Sequence, residues 1–108
     1  MRILFDQATP VPIRPYLEGH TVTTAFRQGW DTLKNGELLA AAEQAGFEVF
    51  VTTDQNMSYQ QNLTNRTIAI VVLGQQQWPN VRPHVQRVVD AVNAATPGSF
   101  TEVEIPFD

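Results

Sequence analysis

The chain of 108 residues contains no cysteine. This absence excludes a disulfide framework and any metal site built from thiolates, and it is typical of a protein that works in the cytosol. A chain of this length easily builds one hydrophobic core and needs neither a cross-link nor zinc to fold. The sequence therefore predicts a single domain over residues 1–108.

Charged residues are few as well, at 17% of the chain, and the formal net charge is −4 at pH 7. This balance argues against an extended basic surface for nucleic acid. It leaves local contacts with phosphate open, and the cations available for them are Arg14, Arg27, Lys34 and Arg66.

Long apolar runs are missing too: no stretch approaches the roughly 20 residues that a membrane-spanning helix requires. The amino terminus runs through Ile3 straight into Asp6, which is not the layout of a signal peptide. We therefore expect a cytoplasmic protein with no membrane partner.

The common nucleotide and metalloprotease motifs (GxGxxG, Walker A and HExxH) do not occur. The two histidines, His20 and His84, have no partner at ligand spacing. The sequence thus gives no support to a zinc site or to a Ser-His-Asp system.

Five short apolar or β-branched runs predict strands, which fall at residues 3–5, 20–24, 48–53, 67–73 and 99–105. The run at 67–73 is continuously apolar, as in a central strand that is covered on both faces. The last run alternates apolar and polar residues with one slip in phase, and it resembles an edge strand.

Four helices are predicted between these strands. The first, near residues 13–17, is brief because three prolines surround it. Asn35 is the predicted N-cap of the second, which ends at a left-handed Gly46. A short helix is expected at 58–62, and a longer one at 81–95 follows a loop at 74–79. This alternation predicts an α/β fold, a three-layer α/β/α sandwich around a mostly parallel sheet of about five strands.

Two of the strands end close to an aspartate, Asp6 after the first and Asp54 after the third. Ligands and metals are commonly held at the carboxyl edge of a parallel sheet, and two carboxylates brought together there favour a bound cation. One interpretation is that both acids bind Mg²⁺ or Mn²⁺. The other is that each acid caps a helix or fixes a turn.

Further candidates flank these acids. Asn35 offers an amide oxygen and Glu37 a third carboxylate, unless Asn35 only caps its helix and Glu37 only complements the helix dipole. The Thr53 hydroxyl is a candidate to orient a carboxylate or to bind phosphate. Thr52 is interpreted as an ordinary strand residue.

Four segments, in this order and at this spacing, resemble the compact PIN-like domain family, which is related to VapC-type toxins and PIN-domain ribonucleases. They are residues 3–7 (ILFDQ), 19–22 (GHTV), 35–39 (NGELL) and 51–56 (VTTDQN). The resemblance covers nearly the whole chain. It implies one PIN-like domain over residues 1–108, an α/β/α sandwich in which clustered acids bind one or two Mg²⁺ or Mn²⁺ ions.

In such a site the metal activates water for attack on an RNA phosphodiester. By position in the family pattern, Asp6 and Asp54 are the implied metal ligands and, with Glu37, the implied catalytic residues. The substrate-binding residues expected on the same basis and from their charge or hydrogen-bonding groups are Thr53, Asn35, Asn56, Lys34 and Arg14.

The chain departs from the family pattern at two positions, where amides replace acids: Asn35 at the helix opening and Asn56 after the third strand. Fewer ligand charges weaken cation binding, so a divalent ion is expected to bind weakly or together with substrate.

Three functions follow as hypotheses. The first is a metal-dependent endoribonuclease with a degenerate acidic site, the toxin of a toxin–antitoxin pair, with RNA as substrate and a cognate antitoxin as partner. The second is a PIN-like protein- or RNA-binding module with little or no catalysis. The third is a phosphoacceptor domain, against which the absence of an acidic pair directly after the first strand argues. Edge strands and the loop at Trp78 leave a homodimer open.

Overall fold

The computed structural model describes residues 1–57 and 66–106, and for Asn35 its backbone. Each of the five predicted strands forms: the first begins one residue earlier than predicted, and the other four are slightly shorter. They are β1 (Arg2–Phe5), β2 (Thr21–Thr24), β3 (Val49–Thr52), β4 (Ala69–Leu73) and β5 (Phe100–Val103). They make one sheet in the order β2-β1-β3-β4-β5, and every neighbouring pair is parallel.

Alternate residues of the strands face opposite sides of this sheet, and both sides are covered. Ile3 and Phe5 lie in a core with Val88 of the last helix. Leu4 and Phe50 lie in a second core with residues of the middle helix. Since successive strand residues point to opposite faces, the two cores lie on either side of the sheet. The predicted α/β class and its three layers are confirmed.

The middle helix, α1 (Asn35–Gln44), corrects one prediction. Lys34, not Asn35, is the N-cap residue, because the Lys34 carbonyl accepts the first helical hydrogen bond from the Leu38 N–H at 2.7 Å. Asn35 is already inside the helix. The predicted stop is confirmed: Gly46 follows the C-cap with φ of +85°, a conformation that glycine adopts without strain.

The prolines shape the other helical segments. The first predicted helix is a 3₁₀ helix, Val11–Tyr16. The predicted loop at 74–79 and helix at 81–95 are partly wrong. A helical turn (α2, Trp78–Val81) starts within that loop, a 3₁₀ turn (Arg82–His84) follows, and α3 covers Val85–Asn93. The valines that helical spacing puts on one face of the predicted helix are buried or half-buried against the sheet: Val81, Val85, Val88, Val89 and Val92. The helix expected at 58–62 lies outside the described residues.

The strand order defines where a site belongs. From β1 the chain moves to β2 on one side and then, by way of α1, to β3 on the other side of β1. The order therefore reverses between β1 and β3. In open parallel sheets ligands bind in the crevice beyond the carboxyl ends of the strands at such a reversal. The loops that begin at Asp6 and Thr53 line that crevice.

Candidate functional site

Asp6 is fixed against β3 by its backbone. Its N–H donates to the Val51 carbonyl at 2.9 Å, which continues the β1–β3 pairing one residue beyond the strand. The side chain is half-buried. The carboxylate therefore emerges at the carboxyl edge, next to the end of β3.

Both oxygens of the Asp6 carboxylate accept a hydrogen bond. The Thr52 hydroxyl donates to Oδ2 at 2.8 Å, and the Gln7 N–H donates to Oδ1 at 2.8 Å. A carboxylate has about four acceptor positions. The two contacts orient the group and leave it able to accept further hydrogen bonds or to bind a cation.

The Thr52 hydroxyl also reaches the second acid. It accepts a hydrogen bond from the Asp54 N–H at 3.1 Å while it donates to Asp6. Thr52 is completely buried, with 0% of its surface exposed. One buried hydroxyl therefore connects the Asp6 carboxylate with the backbone of Asp54, and the two acids belong to one hydrogen-bond network.

Asp54 also fixes a turn. Its Oδ1 accepts the Asn56 N–H at 3.0 Å, and its carbonyl accepts the Met57 N–H at 3.2 Å. This is the turn-fixing role that the sequence left open for Asp54. The side chain is half-buried, and a carboxylate with about four acceptor positions can fix a turn and bind a cation at the same time.

The loop after β1 is held by two more side chains. The buried Thr9 donates its hydroxyl to the Val51 carbonyl at 2.9 Å. Gln7 donates its side-chain amide to the Asp31 carbonyl at 2.8 Å. The loop that carries Asp6 is therefore attached both to β3 and to the segment that leads into α1.

Three further candidates, Glu37, Lys34 and Arg14, carry charged side chains that are exposed. Glu37 is exposed in the first turn of α1, and Lys34 is exposed just before it. Arg14 is exposed on the 3₁₀ helix. Because α1 follows β2, it begins on the carboxyl side of the sheet, the same side as Asp6.

Thr53 and Asn56 occupy the loop after β3. Thr53 is half-buried and lines a small cavity of about 250 Å³ with Gln55 and Gly74, beyond the ends of β3 and β4. The Asn56 side chain is exposed. The side chain of Asn35 lies outside what the structure describes.

Within residues 1–57 and 66–106, no three or more histidine or acidic side chains are grouped so that they could hold a metal ion. Glu37 therefore does not complete a three-carboxylate centre with Asp6 and Asp54. The donors that the described residues offer are two carboxylates, and Mg²⁺ sites often use only one or two together with water and substrate phosphate. The pair fits a weak hard-metal site and not a preformed cage.

A cavity of about 320 Å³ adjoins Asp6 between the ends of β1 and β2. Its other lining residues are Gln7, Thr9, Val11, Thr24 and Phe26. Val11 and Phe26 are two of the most exposed large apolar side chains in the described part of the chain, at 51% and 71%. One face of the site is thus apolar and open to solvent.

Sequence reasoning missed three residues that shape this site: Thr52, Thr9 and Phe26. A signal for Thr52 was present, since its hydroxyl ends an otherwise apolar buried strand and a buried hydroxyl requires a partner. Thr9 and Phe26 lie in loops. Loops lack the regular spacing of apolar residues that shows, in a helix or strand, which side chains are buried.

Comparison of the chain with protein-family models, with curated proteins and with solved structures finds no match. The PIN-like resemblance thus stays a hypothesis that rests on the residues quoted for it. Among the described residues, no helix has the length and apolar character needed to cross a bilayer.

Proposed function

We propose that this protein is a Mg²⁺- or Mn²⁺-dependent endoribonuclease of PIN-like type with a degenerate acidic site, the toxin of a toxin–antitoxin pair in the cytoplasm. The observation that supports it is the network in which Thr52 connects the Asp6 carboxylate with Asp54. This network lies at the reversal of strand order, where parallel sheets bind ligands.

Asp6 and Asp54 are the residues that would hold the ion. When bound, it would supply a Lewis acid that polarises the phosphodiester and lowers the pKa of a bound water. Thr52 and the Gln7 N–H keep the Asp6 carboxylate in one orientation. Such support of a ligand is commonly worth 10–100-fold, roughly, in metal affinity or activity.

Substrate contacts are assigned to the polar groups around the pair. Lys34 and Arg14 are exposed cations for backbone phosphates. Thr53 and Asn56 lie on the loop after β3 and Asn35 in the first turn of α1, and they are assigned hydrogen bonds to the substrate. With only two carboxylates, the ion binds weakly in the free protein and more tightly once phosphate oxygens complete its coordination.

The test is cleavage of single-stranded RNA by purified protein in EDTA, in Mg²⁺ and in Mn²⁺. Wild type is compared with Asp6→Asn/Asp54→Asn, which removes two charges from the site. The matched control is Glu18→Gln/Asp90→Asn. It also removes two charges from exposed side chains, one just after the 3₁₀ helix Val11–Tyr16 and one on α3. We expect cleavage that requires the ion, persists in the control and is lost in the Asp6/Asp54 variant.

Cleavage that is unchanged in the Asp6/Asp54 variant would identify a contaminating nuclease and refute the proposal. Cleavage by wild type in EDTA would refute the metal requirement. If both doubly substituted proteins lose activity alike, the loss comes from net charge, and the assignment of the two acids fails.

A PIN-like binding module with little or no catalysis is the second candidate. The observation that favours it is the absence of a third grouped acid among residues 1–57 and 66–106. It predicts RNA or protein binding that millimolar Mn²⁺ does not change, and no turnover. Robust metal-dependent cleavage would end this alternative.

A further inference from the structure

Phe26 exposes 71% of its surface immediately beside the candidate site. It lines the cavity that also contains Asp6 and Thr24. Single exposed apolar residues need no explanation. Here, however, a second exposed apolar side chain, Val11, lines the same cavity. Val11 and Phe26 form an apolar patch next to Asp6, which is the proposed metal ligand.

The turn that carries Phe26 is held by backbone hydrogen bonds on both sides of it. The Trp30 N–H donates to the Ala25 carbonyl at 2.9 Å, and the Gly29 N–H donates to the Phe26 carbonyl at 3.0 Å. The Arg27 N–H donates to the Thr24 hydroxyl at 3.1 Å. The backbone that presents the ring is therefore fixed before any ligand binds, which lowers the entropy cost of binding.

Cations accompany both apolar residues. Arg27 follows Phe26 and is exposed. In the 3₁₀ helix, residues three apart lie one above the other, so Arg14 lies on the same side as Val11, and both are exposed. Each apolar residue thus has an exposed arginine close to it in the chain, within the same turn or helix, although the chain as a whole is acidic.

Exposed aromatic rings and cations on one surface are the groups with which proteins bind single-stranded nucleic acid. The ring stacks on a base and the cations contact the backbone. A cavity of about 320 Å³ is small for a folded partner but reaches the lower end of the range for small-ligand sites. The Gln7 and Thr24 side chains at its wall add hydrogen-bonding groups for a base edge.

We propose that Phe26 stacks on a nucleobase of single-stranded RNA next to the phosphate that lies at Asp6. Phe26 is on this account a substrate-positioning residue, and the inference rests on the proposed ribonuclease function. Stacking tolerates any base, because every base has a π-face. The site therefore positions RNA with little sequence preference at this nucleotide.

The test measures affinity for a fluorescent single-stranded RNA hexamer in EDTA, so that cleavage is prevented. Stacking is worth about 1–3 kcal/mol per base, so Phe26→Ala should weaken binding by about 5- to 150-fold. Phe26→Trp should bind as tightly as wild type or more tightly. Tyr16→Ala is the matched control, because it removes a ring that is 44% exposed and lines a different cavity.

A hexamer without bases separates stacking from a structural effect of the substitution. Wild type should lose affinity for the abasic strand, whereas Phe26→Ala should bind abasic and normal strands alike. Since Phe26 is exposed, thermal unfolding of Phe26→Ala should match that of wild type. Equal RNA affinity of wild type and Phe26→Ala, or no RNA binding by wild type, would overturn the inference.

The outcomes also separate this inference from the proposed function. Metal-dependent cleavage together with equal affinities of wild type and Phe26→Ala rejects the stacking and keeps the nuclease. Binding that depends on Phe26, without cleavage in any metal, rejects the nuclease and keeps the base contact. Binding of a protein partner through this patch, with no RNA affinity in EDTA and no cleavage in any metal, rejects both.

Discussion

Thr52 has the only hydroxyl in β3, and its side chain is fully buried. A buried hydroxyl without partners costs free energy, but here its proton and its oxygen are both used. It donates to the Asp6 carboxylate and accepts the Asp54 N–H. At the scale of single residues, this side chain positions one acid directly and the other through its backbone.

We expect Thr52→Val to destabilise the fold by about 1–3 kcal/mol, because it removes the hydroxyl's hydrogen bonds to Oδ2 of the half-buried Asp6 carboxylate and to the Asp54 N–H. Thr52→Ser keeps the hydroxyl and should lose less stability. Urea unfolding of the three proteins measures the difference. Equal stability of the valine variant and wild type would show that the hydroxyl does not connect the acids.

At this scale the sequence predicted that Asp6 and Asp54 lie at the carboxyl edge of the sheet, because each follows a buried apolar strand by one or two residues. The prediction of Asn35 as the N-cap was wrong, although asparagine is among the residues that most often occupy this position. The helix begins one residue earlier because the carbonyl of Lys34 accepts its first hydrogen bond. The residue at which α1 begins depends on the path of the preceding loop, and N-cap preferences of single residues carry no information about that path.

At the scale of elements, Glu43 connects the end of α1 with the entry to β4. Its carboxylate accepts hydrogen bonds from Arg66 at 2.6 Å and from the Thr67 N–H at 2.6 Å, and a further one from the Ile68 N–H at 3.2 Å. Burial by itself raises the pKa of Glu43, but the bonds from Arg66 and the two backbone groups outweigh it and hold the pKa below 4.5.

A pKa that is lowered on folding gives stability that is present above the unfolded value and is lost as the pH falls through the folded value. Glu43→Gln should therefore destabilise the fold by about 1.5–3 kcal/mol at pH 7, since it loses charged hydrogen bonds. The difference from wild type should shrink below pH 4.5.

Urea unfolding of both proteins from pH 7 to pH 3 measures this difference, with Glu48→Gln, at an exposed glutamate on the same edge of the sheet, as the control. A difference between wild type and Glu43→Gln that stays constant across this range would contradict the account.

The last helical region shows why element bounds were harder to predict than element types. The valine period predicted one helix from residue 81, and the valines do pack on the sheet. The helical turn begins earlier, at Trp78, with Pro79 in its first turn, where proline is well suited. Pro83 lacks an N–H and falls in the 3₁₀ turn that separates α2 from α3.

At the scale of the whole molecule, strand order brings the two acids together. The apolar runs predicted five strands and a parallel sheet, but they do not state which strands are neighbours. β1 pairs with β3 from Ile3↔Val49 to Phe5↔Val51, and this register sets Asp6 beside Thr52. The apolar patch at Phe26 depends on the same packing, since β2 lies on the other side of β1.

The central claim is that Asp6 and Asp54 share one divalent ion, and thermal unfolding during a Mn²⁺ titration tests it most directly. At ten times the dissociation constant, binding adds about 1.4 kcal/mol, which raises the Tm of a domain this size by about 6 °C. We predict this rise for wild type and for Glu18→Gln/Asp90→Asn, and none for Asp6→Asn/Asp54→Asn. A rise of equal size in all three proteins, or no rise in wild type, would contradict the claim.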